Sequence, residues 1–425
     1  MKEFIKNVFL RCFCLSKEDS LSFTKYTGEN IDYSKIDNLY IHIPFCKNLC
    51  PYCPYYKEKY SIKKADEFSN YLLKEISLHK NNLEGKNINS LYIGGGSPSL
   101  LVNTLEKAIR LLKTYCCIKN IAIEVNPEDI NNEILSSLRQ MNCNLISIGI
   151  QDFHRNHLSA IGRNYNSEIA LAAIHSAKKI SFDTVNIDLI FALPGQTLSD
   201  LDHSLDLAIS SNPDQITTYP LFTFPYSSVG KFNKINSVIF PNSLKRKKFY
   251  FYICEKLSNN GYQQISVWSF AKKDHIKYSS VTRNYFLGIG PSAATYNGKY
   301  FLFNFFDNNS YLNQIKLKKH PYALVLKLSN KLERLYWLYW KLYETKIPLQ
   351  EYKRLFSSNL LSDFKLFFIL IRIMGYAKIE NEIIHISRKG IHRIHLLQNT
   401  FSLNFINKVW SDNYNNPNPT GTNLK

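Results

Sequence analysis

The sequence lacks both an apolar run long enough to cross a membrane and a recognisable signal peptide. Its most apolar stretch, residues 366–373, is far shorter than the roughly 20 residues that a transmembrane helix needs. Near the N-terminus, Lys6 and Arg11 interrupt the apolar residues, and no small-residue cleavage site follows them. We therefore expect no transmembrane segment, although an amphipathic N-terminus would allow peripheral anchoring.

Acidic residues are also scarce, with 34 Asp and Glu against 53 Lys and Arg among 425 residues, which leaves a formal charge of +19. Such a balance is typical of proteins that bind nucleic acid or acidic membranes. Here the lysines are scattered and form no long basic run, so we expect no nucleic-acid partner. A mildly positive surface also suits a substrate that carries several carboxylates.

The nine cysteines show no disulfide-framework spacing for so long a chain. Six of them are spread along the sequence: Cys12, Cys14, Cys116, Cys117, Cys143 and Cys254. Reduced thiols are normal in the cytosol, so this pattern predicts a cytoplasmic protein. With 45% hydrophobic residues, the chain is long enough for one large core and a smaller domain.

The other three cysteines, Cys46, Cys50 and Cys53, form a C-x-x-x-C-x-x-C array after an apolar, strand-like run. Pro51 and Pro54 keep this loop out of a helix. Thiolate is the soft ligand that suits iron, and a cubane cluster has four iron corners. Three cysteines therefore hold three irons and leave the fourth open to a small molecule, which indicates a catalytic iron–sulfur site.

Other interpretations of the array stay open on the residues alone. Three close cysteines also fit a zinc site that lacks its fourth ligand, a set of buried apolar side chains, or a disulfide with one cysteine left over. His42 is the nearest further zinc ligand, but it lies on the preceding strand, and we expect its side chain to point away from the loop. The cluster interpretation is therefore preferred.

Strand-like and helix-like segments alternate regularly after residue 36. We predict strands at residues 39–45, 90–93, 120–125, 145–150, 184–192 and 215–221, with helices at 65–79, 101–114, 131–139, 167–179 and 198–210. Parallel strands need such crossover helices, so the predicted fold class is α/β, an incomplete (β/α)6 barrel. The reactive face of such a barrel lies at the C-terminal ends of its strands, where the cysteine array falls.

The pattern changes after residue 226. A helix at 244–258, a strand at 262–268 and a glycine-rich turn at 287–292 extend the barrel. From about residue 330, helices at 332–343, 349–356 and 363–374 precede a hairpin at 377–386, an order typical of a winged-helix-like domain. We divide the chain into a lead-in at 1–35, a core with its extension at 36–300, a C-terminal helical domain at 330–410 and a disordered Asn- and Pro-rich tail at 411–425.

Residues 40–46, Tyr-x-His-Ile-Pro-Phe-Cys, together with the cysteine array, resemble the cluster loop of the radical S-adenosylmethionine (radical SAM) superfamily. They are similar in particular to the oxygen-independent coproporphyrinogen III oxidases and the related haem chaperones. The resemblance implies a radical SAM barrel with a [4Fe-4S] cluster on Cys46, Cys50 and Cys53, and S-adenosylmethionine on the open iron. It also implies one-electron cleavage of that cofactor to a 5′-deoxyadenosyl radical, with the electron supplied by a donor such as flavodoxin or ferredoxin.

Residues 94–98, Gly-Gly-Gly-Ser-Pro, follow a predicted strand and precede a helix. Without side chains, backbone N–H groups can approach a charged ligand, which suits the amino-acid end of a cofactor. The segment resembles the family's Gly-Gly-Gly-Thr-Pro, which holds the methionine amino group. We carry that role to Gly95, Gly96 and Ser97, because the serine keeps the hydroxyl.

Four further residues match cofactor-contact positions of the family: Glu124, Gln151, Arg163 and Asp188. Glu124 is an acid within an otherwise apolar strand and needs a partner, so an ion pair with a helix lysine is its ordinary alternative. Arg163 suits the methionine carboxylate through bidentate pairing.

Aromatic residues complete the site that the resemblance implies. Tyr52 resembles the aromatic residue that stacks near the adenine, and Tyr40 resembles the tyrosine close to the cluster. Tyr40 and Gln151 are also the candidates for a direct part in catalysis. Phe222 and Ala294 match positions that supply backbone contacts to the cofactor.

One position departs from the oxidase pattern. The coproporphyrinogen oxidases carry a further cysteine two residues after the third, and here that position is Tyr55. Three hypotheses follow. The chain is a radical oxidoreductase or haem-degrading methyltransferase that acts on a tetrapyrrole, a chaperone that binds haem without turnover, or a radical methyltransferase of another small molecule. In the first two, haem or another porphyrin is the ligand.

Overall fold

The structure is a computed structural model, and it describes residues 22–222, 241–279, 284–413 and 416–423. Cys12 and Cys14, with most of the predicted lead-in, lie outside the described residues. The described part of the lead-in contains β1 Ser22–Lys25, which pairs with strands from much later in the chain. This segment therefore belongs to the main sheet.

A wall of six parallel strands follows β1. In chain order its elements are β2 Asn38–Ile43, β3 Phe45–Cys46, β4 Glu58–Lys59, α1 Ile62–Leu78, α2 Lys80–Leu83, β5 Asn87–Gly95, α3 Val102–Tyr115, β6 Cys117–Val125, α4 Asn132–Gln140, β7 Leu145–Gln151, α5 Arg155–Ala160, α6 Ser167–Lys179, β8 Thr184–Phe191, α7 Leu198–Ser210 and β9 Gln215–Pro220. Strands β2 and β5 to β9 lie side by side, parallel and in chain order. The predicted incomplete (β/α)6 barrel is confirmed.

The strands of this wall are covered on both faces. In β2, Leu39, Ile41 and Ile43 are buried in the core that the sheet forms with the helices. Tyr40 and His42 alternate with them and project into the barrel interior, because successive side chains of a strand point to opposite faces. Polar side chains that face the interior are therefore gathered at the C-terminal ends of neighbouring strands.

The chain then extends the sheet at both edges. The elements are α8 Ser243–Asn259, β10 Gln263–Gln264, β11 Ser269–Ala271, β12 Phe286–Ile289, β13 Ala294–Tyr296, β14 Tyr300–Asn304, α9 Asn308–Lys316 and β15 Tyr322–Lys327. Strands β11 and β10 continue beyond β9, whereas β12 lies parallel to β2 and leads on to β13, β14, β15 and β1.

One predicted strand, at residues 262–268, is wrong. Ile265 N and Ser266 N both donate to Ser269 O, and Ser269 N donates to Ser266 Oγ at 3.1 Å. These bonds close a tight turn, so the chain reverses there and forms an antiparallel hairpin of β10 and β11. A serine that closes a turn through its own hydroxyl outweighs the β-propensity of the apolar residues around it.

The last part of the chain forms a smaller helical unit. Its elements are α10 Asn330–Glu344, β16 Lys346–Pro348, α11 Leu349–Phe356, α12 Leu360–Asp363, α13 Lys365–Ile373, β17 Ala377–Glu380, β18 Ile383–Ile386, α14 Arg388–Asn413 and β19 Gly421–Asn423. Strands β16, β18 and β17 make a separate three-stranded sheet. Asn381 and Glu382 have φ of 49° and 59°, the left-handed values that a two-residue hairpin turn requires. Helices followed by this hairpin give the predicted winged-helix-like arrangement.

The Asn- and Pro-rich end departs from the predicted disorder. Helix α14 reaches Asn413, and β19 pairs antiparallel with β1. Asn413 Nδ2 donates to Thr422 Oγ1 at 3.0 Å, which ties the end of the helix to this strand. The edge of β1 offers unpaired backbone groups, and pairing them stabilises a strand that composition alone does not favour. No helix in the described ranges is both long and apolar enough to span a bilayer.

Candidate functional site

The cysteine loop begins at the C-terminal end of β2 and is clamped on two sides. Gly96 N donates to Ile43 O, and Ser97 N donates to Phe45 O, both at 2.7 Å. On the other side of the loop, β4 pairs with β3. The glycine motif and the end of the loop therefore hold the three cysteines between them.

The thiols of this loop are near neighbours and form no disulfide. Burial raises the pKa of Cys46 to about 12, and the Cys53 and Cys50 thiols beside it act in the same direction. Burial likewise raises the pKa of Cys50. Metal ligation needs thiolates, so a bound cation must reverse this preference for the neutral thiol.

Two observations test whether the loop suits a cluster. Within the described ranges, no group of three or more His, Cys, Asp or Glu side chains is placed to hold a metal ion. A cubane differs from a single ion, because each cysteine binds a different iron and the sulfurs need not converge on one point. At Gly96, an added Cβ would lie 3.0 Å from Cys46 Sγ and 2.4 Å from Phe45 O, so the glycine keeps the space beside the sulfur open. The loop fits a cluster better than a single ion.

The orientation predicted for His42, away from the loop, is wrong. Its ring lies against the chain that leaves the loop, with Nε2 2.9 Å from Tyr56 O and Nδ1 2.8 Å from Tyr40 OH. Burial lowers the pKa of His42 to about 4, so the ring is neutral near pH 7. A neutral ring donates from Nε2 to the carbonyl and accepts the Tyr40 hydroxyl at Nδ1. His42 thus supports the loop and orients Tyr40.

Glu124, in β6, lies against the glycine motif. Its carboxylate accepts Gly95 N at 3.2 Å and the hydroxyl of Tyr92. A Cβ on Gly94 would lie 2.8 Å from Glu124 Oε2, so a glycine is needed for this close approach. Tyr278 OH in turn donates to Tyr92 OH at 2.8 Å. The sequence left open an ion pair between Glu124 and a helix lysine. The structure instead gives the carboxylate the Tyr92 hydroxyl and the Gly95 amide as hydrogen-bond donors.

The amides of the glycine motif are used within the protein, contrary to the prediction that they approach a ligand. The amides of Gly95, Gly96 and Ser97 donate to Glu124 and to backbone carbonyls of residues 43 and 45. An ammonium group is itself a donor and needs acceptors. At this place the Glu124 carboxylate and the Ser97 hydroxyl supply them.

Asn126, which the sequence analysis did not identify, connects two of the predicted site residues, Ser97 and Arg163. We call Ser97, Asn126, Arg163 and Tyr52 the Arg163 cluster. Asn126 Nδ2 donates to Ser97 Oγ at 2.6 Å, Arg163 Nη1 donates to Asn126 Oδ1 at 2.7 Å, and Arg163 Nη2 donates to Tyr52 OH at 3.3 Å. Arg163 Nε is buried and has no hydrogen-bond partner. Asn126 directly follows β6, and its position at a strand end is the signal that could have found it.

Gln151 ends β7 with a left-handed φ of 63°. This conformation is unfavourable for a residue with a side chain, and such strain is concentrated at functional sites. Gln151 is 5% exposed, and its Oε1 has no hydrogen-bond partner. A Cβ on Gly149 would lie 2.7 Å from Gln151 Nε2, so that glycine makes room for the amide. Gln151 thus presents a buried acceptor that the protein leaves unused.

Asp188, in β8, is fixed by neighbours that the sequence did not reveal. Ser147 Oγ donates to Oδ2, and Asn186 Nδ2 donates to Oδ1, each at 2.9 Å. Thr217 Oγ1 donates to Asn186 Oδ1, also at 2.9 Å. Burial raises the pKa of Asp188 to about 6, although these hydrogen bonds act in the opposite direction. The four residues occupy same-face positions on adjacent strands, so period-two polar positions are the signal that could have found them.

Tyr55, the residue that departs from the oxidase pattern, follows the third cysteine by two positions and is 53% exposed. Desolvation and the charges of Glu124, Cys53 and Asp188 raise its pKa. The two candidates for backbone contacts to the cofactor lie toward opposite edges of the wall. Phe222 follows β9, and Ala294 begins β13.

Comparison with known proteins agrees with the family resemblance of the cysteine loop. The family model described as Radical SAM superfamily matches residues 40–208. The heme chaperone HemW of Bacillus subtilis is 30% identical over 293 residues, 67% of this chain and 77% of that protein. The oxygen-independent coproporphyrinogen III oxidase of Escherichia coli is 30% identical over 242 residues, 56% of this chain and 53% of that protein. The sequence match thus spans about half of the oxidase and more than two thirds of the chaperone.

A solved structure supports the fold. Coproporphyrinogen III oxidase (HemN) from Escherichia coli, described as a radical SAM enzyme, aligns with a TM-score of 0.78 over 92% of this chain and 98% of that chain, at 23% identity. Together with the B. subtilis relative and the family model, this places the protein. The chain belongs to the radical SAM superfamily, whose cofactors are a [4Fe-4S] cluster and S-adenosylmethionine, and within it to the subfamily of oxygen-independent coproporphyrinogen III oxidase-like and haem chaperone-like proteins.

Proposed function

We propose that Cys46, Cys50 and Cys53 hold the cluster, that the adjoining strand ends hold S-adenosylmethionine, and that the chain uses both in radical chemistry on a tetrapyrrole. One observation carries the proposal. Arg163, which donates to Tyr52 of the cysteine loop, has a buried Nε without a partner in the protein. Buried polar atoms are almost always hydrogen-bonded, so a charged donor left unused beside the cysteines indicates a ligand, and the unused Gln151 Oε1 at the end of β7 agrees with it.

The side chains around the loop divide the binding of the cofactor between them. The Arg163 guanidinium, held by Asn126 and Tyr52, has an N–H left for a carboxylate. Glu124 and the Ser97 hydroxyl provide acceptors for an ammonium group, and Asp188 provides a carboxylate that Ser147 and Asn186 hold in place. These are the groups that the amino-acid end and the hydroxyls of S-adenosylmethionine require.

When bound, the cluster supplies one electron that splits a carbon–sulfur bond of S-adenosylmethionine, and the carbon radical formed removes a hydrogen atom from the substrate. The protein's part is to orient and to enclose. We propose that Tyr40, oriented by His42, and Gln151, held at its strained backbone position, contact the reacting groups. We also propose that Tyr55, beside the third cysteine, limits the access of water to a bound cofactor.

A tetrapyrrole is the proposed substrate because both kinds of relative carry names from porphyrin chemistry. The formal charge of +19 also suits a ligand with several carboxylates. The electron would come from a small donor protein such as flavodoxin or ferredoxin in the cytoplasm.

The second candidate function is haem binding and delivery without turnover. Two observations favour it. The sequence match covers more of the heme chaperone of B. subtilis than of the E. coli oxidase, 77% against 53%. In addition, Tyr55 stands where the oxidases carry a further cysteine.

Anaerobic reconstitution with iron and sulfide, followed by a dithionite assay with S-adenosylmethionine and haem, tests both functions. Formation of 5′-deoxyadenosine together with a methylated or ring-opened haem, read by mass spectrometry, would support the enzyme. Stable one-to-one binding of intact haem with little 5′-deoxyadenosine would overturn it in favour of the chaperone. Cys50→Ala should abolish cofactor cleavage, whereas Cys117→Ala, a change of an exposed cysteine on β6, should leave cleavage at the level of the unmodified protein.

A further inference from the structure

Helix α13 in the C-terminal unit exposes an unusual amount of apolar surface. Leu366, Ile369, Leu370 and Ile373 are 50%, 43%, 38% and 78% exposed, and Met374, which follows the helix, is 54% exposed. Thirteen large apolar side chains are exposed among the described residues, and these five belong to one helix and its C-cap. We call these five residues the α13 face.

The α13 face is distinct from the side of the helix that packs on the protein. Phe367, Phe368 and Ile371 are buried and form the inner side of α13. Leu366 lies three and four positions before Ile369 and Leu370, and Leu370 lies three and four positions before Ile373 and Met374, which places all five together on the opposite side. A helix that is apolar on two opposite sides normally has both of them covered, so the α13 face needs a covering that the chain itself does not provide among the described residues.

The charged residues of this region indicate what covers it. The only charged side chains of α13 are Lys365 and Arg372, both exposed and seven positions apart, so they lie together along one border of the α13 face. Residues 346–393 contain nine Lys or Arg against four Asp or Glu. Apolar side chains bordered by cations match the interface of an anionic lipid bilayer, where the former enter the acyl boundary and the latter meet the headgroups.

The area of the α13 face also favours a bilayer over a second copy of the chain. The exposed fractions correspond to on the order of 500 Å² of apolar surface, the size of the largest patch on a typical monomer. A stable protein interface takes roughly 800 Å² from each partner. Insertion of one helix face into the headgroup region has no such requirement, because it depends on the depth of a few side chains and on charge. We propose that the α13 face docks the protein peripherally on an anionic membrane surface.

Vesicle flotation of the reconstituted protein tests this docking. We expect binding to vesicles of phosphatidylcholine with phosphatidylglycerol, much weaker binding to phosphatidylcholine alone, and loss of binding as salt is raised. The double substitution Leu366→Ser with Ile373→Ser should lower the membrane partition coefficient about tenfold, because two apolar side chains no longer insert. Lys365→Gln with Arg372→Gln should lower it on anionic vesicles alone.

Leu244→Ser with Leu317→Ser is the matched control, since both leucines are exposed apolar residues outside the α13 face, at 75% and 63%. This control should bind vesicles as the unmodified protein does. The proposal is overturned if the unmodified protein does not float with anionic vesicles, or if the two serine pairs reduce binding equally. A dimer in light scattering that only Leu366→Ser with Ile373→Ser dissociates would also overturn it, and would make a second copy the occupant.

Discussion

Two groups of buried polar side chains in this protein are satisfied to different degrees. In the Arg163 cluster, the charged guanidinium has partners at both Nη atoms, but its buried Nε has none. In what we call the Glu75 cluster, formed by Glu75, Gly290, Asn304 and Tyr311, the charged group is fully used. Tyr311 OH and Gly290 N donate to Glu75 Oε2, and Asn304 Nδ2 donates to Oε1.

The difference separates a ligand site from a structural joint. Glu75 is a residue of α1, and its three partners belong to the extension of the sheet after β12 and to α9, so the cluster joins the first barrel helix to that extension. An unused charged N–H costs more to bury than a carbonyl oxygen that lacks a partner, such as Asn304 Oδ1. We infer that the charged group with an unused atom waits for a ligand, whereas the saturated one only stabilises the fold.

Replacing Arg163 should have the largest effect, and it should fall on function. Arg163→Gln removes the unused N–H and the positive charge that we assign to the cofactor carboxylate. The loss of charge-assisted hydrogen bonds should reduce kcat/KM for S-adenosylmethionine cleavage by about 100- to 1,000-fold. The thermal midpoint should change little, which circular dichroism can check. Arg139→Gln, in a half-exposed pair with Asp183, is the control, and a cleavage rate in Arg163→Gln close to that of this control would contradict the assignment.

Replacing Glu75 should have the opposite effect, a loss of stability with unchanged cleavage of S-adenosylmethionine. Glu75→Ala leaves the Gly290 amide and the Tyr311 hydroxyl without an acceptor and removes one of the two acceptors of Asn304 Nδ2, which also donates to Gly290 O. The free energy of unfolding should therefore fall by about 3 kcal/mol. Cleavage of S-adenosylmethionine per folded molecule should stay unchanged, because no group of the cysteine loop is altered. Glu67→Ala on the same helix is the matched control, since Glu67 makes a half-exposed pair with Lys316 at 3.3 Å and such pairs contribute little. A large loss of cleavage with normal stability would place Glu75 in the active site instead.

Tyr56 belongs to neither cluster and joins the end of the cysteine loop to the start of α9. Its hydroxyl donates to Glu58 and accepts Asn308 N at 2.8 Å, and its carbonyl accepts His42 Nε2. Tyr56→Phe should cost about 2 kcal/mol, because it leaves the Asn308 amide unpaired and removes a bond to a carboxylate. It should also speed the loss of the reconstituted cluster to a chelator, followed by absorbance. Tyr60→Phe, just after β4, is the control and should lose its cluster at the rate of the unmodified protein. If both variants lose the cluster at that same rate, the Tyr56 hydroxyl does not help the loop to retain the cluster.

The sequence predicted one cluster better than the other, and the reason is physical. Strand and helix periodicity placed the barrel elements, because burial on both faces imposes a pattern over many residues. In the Arg163 cluster, the resemblance of short motifs to the family identified Ser97, Arg163 and Tyr52. Glu75 was not identified, because an acid in an amphipathic helix usually faces solvent, and its partners are more than 200 positions away in the chain. Asn126 escaped for a related reason, since its importance comes from bridging Ser97 and Arg163, which only the folded chain brings together.

The smallest expected effect is a pH dependence that belongs to the Glu75 cluster. Burial raises the pKa of Glu75 from 4.5 to about 7, against the hydrogen bonds from Tyr311, Gly290 and Asn304. The folded state therefore holds this proton at pH values where the unfolded state has released it, and the stabilising contribution present below pH 4.5 is lost as pH rises through 7. Between about pH 6 and pH 8 the free energy of unfolding should fall by about 1 kcal/mol.

Glu75→Gln removes this titration while it keeps the shape of the side chain. Denaturant unfolding at both pH values should therefore show a drop in the unmodified protein that is smaller in Glu75→Gln. Asp188, whose pKa is raised to about 6, titrates in both proteins and cancels in the comparison. Equal pH dependence in the two proteins would mean that Glu75 is already ionised at the lower pH. Three donors would then outweigh burial, and the saturated cluster would differ even more sharply from the Arg163 cluster, where one donor still lacks its acceptor.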